Sequence, residues 1–176
     1  MNDPAAVIAA LENAPALIVP LVREVPREVL KRRPAPGRWS AHEHACHLAD
    51  VHPLFFARLE QFPTEERPRI QPFDPATQRP DGELLSVDLD DALRRFTEDR
   101  RRLVARLRTL PAELWQRTAD HGEYSHYSVL IMFRHLALHD SLRHFAHQRH
   151  DERRRVLQRG DDGGGVVHKL TRKSER

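Results

Sequence analysis

Several features that mark common protein classes are missing from this chain. It has a single cysteine, Cys46, among 176 residues, so an internal disulfide is excluded and a reducing compartment fits. There is no G-x-S-x-G and no glycine-rich phosphate loop. No run reaches the roughly 18 to 20 apolar residues of a membrane helix. Met1-Asn2-Asp3-Pro4 carries neither the basic region nor the apolar core of a signal peptide. The expectation is a soluble, cytoplasmic protein that does not engage a membrane. Positive charge is not concentrated either. The formal net charge is +3, with arginines spread among carboxylates, whereas a nucleic-acid face needs clustered cations. No segment reads as a convincing strand, and no internal repeat is visible.

What remains is a helical chain with a charged surface. Apolar residues make up 39% and charged residues 31%, enough for one domain with a sizeable core. Asp3-Pro4 is an N-cap followed by proline at N1. It opens a helix carrying Val7, Ile8, Leu11, Ile18 and Val22, with Pro15 and Pro20 expected to break or bend it. Residues 25–30 read as a short helical turn and 32–37 as a stiff linker. Ser40 and Glu43 have the spacing of a capping box and open a second helix running to about Phe62, with Pro53 kinking or dividing it. Thr64 to Asp81 is read as a long proline-rich loop bordering a site. Ser86 or Asp88 caps a third helix with Leu89, Leu93, Phe96, Val104 and Leu107. A short helix at 110–115 and a turn at 118–127 around Gly122, with a small hairpin or extended crossing as the alternative, lead to a last helix from about Ser128 into the 150s. The sum is an all-α four-helix bundle over residues 1–155 with a flexible tail at 156–176. The long connection between the second and third helices implies that sequence neighbours are not simple hairpin partners.

The chemistry concentrates in imidazoles. Helix-borne histidines facing a bundle core can bind a divalent metal. His47 and His139 stand among Leu and Ala at positions that face inward. His135 and His139 are four apart, on one helix face. His139 and His144 are five apart, about 140° around an ideal helix, which a π-bulge would repair. His42, His44, His52, His121, His126, His147, His150 and His168 read as surface residues. Glu43 and Asp50 lie on the face of His47 and are candidates to orient a ligand or act as a base. His42-Glu43-His44-Ala45-Cys46 begins like the zinc motif H-E-x-x-H but ends in cysteine. Cys46 can be drawn as a nucleophile at a helix start, yet reads as a small buried residue.

Two stretches of the chain resemble the DinB-like superfamily of metal-binding four-helix bundles. The family's first motif is matched by Trp39-Ser40, Glu43 and His47-Leu48-Ala49-Asp50, with Arg33-Pro34-Ala35-Pro36-Gly37 as its lead-in. The late glycine turn is matched by His121-Gly122-Glu123-Tyr124-Ser125, and the final metal helix by His139-Asp140 and Gln148. The similarity covers roughly residues 5 to 150. It implies a three-histidine site for zinc, nickel or iron, with one ligand from the second helix and two spaced by four on the last. His47 and His139 match two of them. The third falls on Arg143, with His144 next to it. A local bulge bringing in His144, substitution by His135, and an incomplete site are the alternatives, and the adopted set is His47, His139 and His144. The resemblance implies a metal-dependent thiol transferase or hydrolase acting on a small molecule, such as a low-molecular-weight thiol. The alternative is a non-catalytic, stress-related bundle with a degenerate site. A homodimer fits either.

Overall fold

Asp3 caps α1 (Pro4–Arg23) by accepting from the Ala6 N–H at 2.9 Å, with Pro4 in the first turn. The structure is a computed structural model and describes residues 3–74 and 78–140. The predicted tail and the far part of the last helix lie outside the described residues. Contrary to expectation, α1 runs unbroken through Pro15 and Pro20. A proline removes the N–H that would serve the carbonyl four residues back. For Pro15 that carbonyl is Leu11, and Arg100 Nη1 reaches it from another helix at 3.5 Å. Contrary to the expectation of no such run, α1 is by length and composition apolar enough to cross a membrane. Val7, Leu11, Ala14, Ile18 and Val22 lay one stripe of it into the core.

A short α2 (Arg27–Leu30) precedes the linker, and α3 (Ala41–Asp50) opens on Ser40 with both halves of the capping box formed. Val51 is a break, and α4 (His52–Thr64) starts with Pro53 in its first turn. The chain therefore divides at the proline. Within the predicted loop, Arg69–Ile70 form a strand, β1. A 3-10 turn at Glu83–Ser86 leads to α5 (Leu89–Arg108), capped by Asp88 through the Asp91 N–H at 2.7 Å. Next come α6 (Ala112–Trp115), β2 (Thr118–His121), β3 (Tyr127–Ser128) and α7 (Val129–His139), the last capped by Ser128. β2 pairs parallel with β1 and antiparallel with β3, Ala119 facing Tyr127.

The fold is a four-helix bundle of α1, the α3–α4 pair, α5 and α7. α1 packs on α5 and α7, and α3 packs chiefly on α5, so chain neighbours are not the main partners. The core includes Phe55, Leu59, Phe62, Leu103, Met132 and Phe133, each almost wholly removed from water. Two histidines read as surface residues are inside. His42 is 2% exposed and His52 is fully buried. The physical reason for His52 is polar company that sequence spacing does not reveal. Its Nδ1 donates to the Ala49 carbonyl at 3.4 Å, a group that Pro53 cannot serve. Its Nε2 then accepts from Arg100 Nε at 3.0 Å. Burial, with Arg100 adding to it, pushes His52 down to about 4.

Candidate metal centre

His47 comes from the middle of α3 and His139 from the last residue of α7. Their ring centroids are 5.2 Å apart, with planes inclined at 61°. Two imidazoles sharing one ion, with metal–nitrogen bonds of about 2.0–2.1 Å in tetrahedral geometry, have centroids about 5 Å apart. This pair thus has the spacing that a shared divalent ion requires. Trp39 closes one side, its ring 4.9 Å from His47 and 5.5 Å from His44. His47 is 4% exposed, while His139 is half-buried. His135 stands one turn back on α7, 6.3 Å from His139 between ring centroids, and is exposed. Among the described residues, no three His, Cys, Asp or Glu side chains are grouped to hold a metal ion. His144, Arg143 and Gln148 lie outside the described residues.

The two carboxylates next to His47 in sequence turn elsewhere. Glu43 is 1% exposed and accepts from Ser40 N–H at 2.8 Å, the Ser40 hydroxyl at 2.9 Å and Arg33 Nε at 3.0 and 3.1 Å. Burial works to raise its carboxyl, and the bonds from Arg33 and Ser40 outweigh it and hold it below the usual range. Arg33 also binds Asp81, so this cluster ties the linker, the start of α3 and the segment before the 3-10 turn together. Asp50 pairs with Arg79 at 3.1 Å and with Arg95 at 3.2 Å. Neither Glu43 nor Asp50 is hydrogen-bonded to His47 or His139. Both fix the helix that carries His47, one at each end.

The remaining sequence candidates are accounted for by packing. His42 Nε2 contacts the Val87 carbonyl at 3.0 Å, away from Cys46 as a shared ligand pair. Cys46 is fully buried, and burial pushes its thiol up to about 12, which leaves no thiolate near neutral pH.

A further buried side chain, linked to His139 through His135, was not anticipated by sequence reasoning. Arg58 of α4 is 8% exposed. It stands three residues after Phe55 and six after His52, on the buried stripe of α4, and that register is the signal that could have found it. Its neighbours include His121 and Tyr127 from the small sheet, whose rings lie 4.5 Å apart, with Tyr124 4.9 Å from His121.

Comparison with known proteins agrees with this architecture. Residues 10–145 match the sequence profile of the DinB superfamily. YfiT of Bacillus subtilis (strain 168) is 28% identical over 140 residues, spanning 80% of this chain and 79% of YfiT. The solved structure of YfiT superposes with a TM-score of 0.71 at 27% identity, covering 86% of each chain. That protein is described as a probable metal-dependent hydrolase with an unusual four-helix bundle topology.

Proposed function

Because this chain belongs to the DinB superfamily, we propose that it is a metal-dependent hydrolase of a small molecule, with His47 and His139 as ligands to a divalent ion. The observation that carries the reading is the 5.2 Å approach of these two rings from facing helices. The description of YfiT as a probable metal-dependent hydrolase supports it. We assign the third ligand to His144, the next imidazole along the chain from His139. A divalent ion bound there supplies Lewis acidity at neutral pH, with zinc, nickel and iron all suited to imidazole donors.

The chain's own residues prepare the ligands. Trp39 packs edge-on against the His47 ring, which fixes its orientation and keeps bulk water from that side. Arg33, Ser40 and Glu43 hold the first turn of α3, and Arg79 and Arg95 hold its last turn through Asp50. His47 therefore sits on a helix clamped at both ends, so little ordering is needed when a ligand arrives. Glu43 and Asp50 act as positioning residues.

The test is metal binding by the purified full chain, measured by elemental analysis and by calorimetric titration with zinc. About one divalent ion per chain is expected. His47→Ala and His139→Ala should each weaken binding by about a hundredfold or more while leaving the helical circular dichroism unchanged. A folded wild-type chain that binds no divalent ion would overturn the reading.

A further inference from the structure

A buried guanidinium needs compensation, since an uncompensated charge out of water is costly. The other buried arginine, Arg100, conforms by pairing with Asp140, and half-buried Arg33, Arg79, Arg95 and Arg106 likewise pair with carboxylates. Arg58 differs. It is 8% exposed, donates through Nη2 to the Gln71 carbonyl at 2.5 Å and lies 5.8 Å from the centre of the Phe55 ring. Among the described residues it has no carboxylate partner. Around it stand groups without negative charge. Tyr127 is 4% exposed, with the His121 ring tilted against it at 4.5 Å and His135 of α7 acting on His121. Burial lowers both His121 and His135, and Arg58 lowers them further. Glu123 is the acidic group that acts on His121, and it is exposed in the turn between β2 and β3. The cluster opens towards water through His135 and through Tyr124, which is 43% exposed. His135 also connects it to His139 at 6.3 Å.

We propose that Arg58, with the rings of His121 and Tyr127, forms an oxyanion-binding subsite beside His139, so that the substrate is a small molecule bearing a carboxylate or phosphate group. The link to catalysis rests on the metal-centre reading; the subsite stands on residues that the metal does not use. A guanidinium presents a planar fork of donors matched to an oxyanion, and the aromatic walls keep the contact short of water. The neutral imidazole of His121 offers a further N–H. Arg58 acts on His135, which stands one helical turn before His139 on α7, so an anion held there would orient the rest of the molecule towards His47 and His139.

The test uses the full chain with metal removed by chelation, titrated separately with inorganic phosphate and with acetate. The readout is the ring resonances of His121 and Tyr127 in NMR spectra. Saturable shifts of both rings are expected. Tighter binding of acetate assigns the subsite to a carboxylate, and tighter binding of phosphate to a phosphoryl group; either supports it. Arg58→Gln should weaken binding at least about tenfold. Where that variant does not fold, Arg58→Lys keeps the charge and loses the fork, and a several-fold weakening is expected. Absence of saturable binding by the wild type, or unchanged affinity in a folded Arg58 variant, would overturn the proposal. His47→Ala should lose metal and keep anion binding. A chain that binds zinc but no anion refutes only the subsite, and one that binds anion but no metal refutes only the metal centre.

Discussion

Arg58 and Arg100 are both buried arginines on bundle helices, and their surroundings are opposite. Arg100 is 1% exposed and engaged with several parts of the fold. It pairs with Asp140, bonds His52, reaches the Leu11 carbonyl and lies 5.0 Å from the centre of the Phe96 ring. These contacts join α1, α4, α5 and the end of α7. Arg58 has one backbone acceptor, the Tyr127 side chain and a ring, and no carboxylate among the described residues. An arginine whose charge is answered inside the fold belongs to stability. One whose charge no carboxylate answers, beside a cluster open to water, is the kind that an anionic ligand can complete.

The largest effect expected from breaking this contrast is at Arg100. Arg100→Met strands Asp140 in the core and should cost about 3–5 kcal/mol, measured by urea unfolding. Adding Asp140→Leu removes the stranded charge and should recover part of that loss. If the double variant is no more stable than the single one, the ion pair is not what Arg100 contributes.

The next effect is acid sensitivity. His52 has a folded value of about 4, below its ordinary 6.5, so protons bind the unfolded chain first. Stability from this group is fully present above about pH 6.5 and falls as the pH drops towards 4, by an amount on the order of 3 kcal/mol. Burial raises Asp140, with Arg100 opposing, and that raised carboxyl contributes the reverse slope. The diagnostic quantity is therefore the difference between wild type and His52→Gln. The variant should lose much of the decline between pH 6.5 and 4. Identical pH profiles would separate His52 from the Arg100 network.

The smallest stability effect is expected at Arg58. Arg58→Met gives up bonds to one carbonyl and to the Tyr127 side chain and, with no carboxylate left stranded, should change stability by only about 1–2 kcal/mol. A loss matching that of Arg100→Met would erase the distinction between the two arginines.

What could be read from the sequence follows the range of the forces involved. Asp3, Ser40 with Glu43, and Asp88 cap their helices through bonds spanning three residues, so the helix starts were legible. His47 and His139 were legible because Leu48, Ala49, Leu136 and Ala137 put their faces inward. His52 was not, because its burial depends on Arg100, 48 residues away. β1 was not, because its two-residue pairing with β2, Arg69 against Asp120, leaves no periodic trace. Arg58 was hidden by its type: a charged residue on an apolar stripe is read as solvated until the fold shows what covers it. Helical spacing puts Glu43 and Asp50 on the face of His47. Their partners, Arg33, Arg79 and Arg95, come from elsewhere in the chain, and spacing could not show them.

The bond between Arg100 and the Leu11 carbonyl has a consequence for how the chain folds. α1 is long, yet its middle lacks a backbone donor at Pro15, and a side chain from α5 fills the gap. The first helix is thus incomplete until a segment from beyond the chain's midpoint has arrived. The amides around Pro15 should then exchange with solvent only when α5 separates from α1, giving both helices one opening free energy. The N-terminal helix would wait on the synthesis of the second half of the protein.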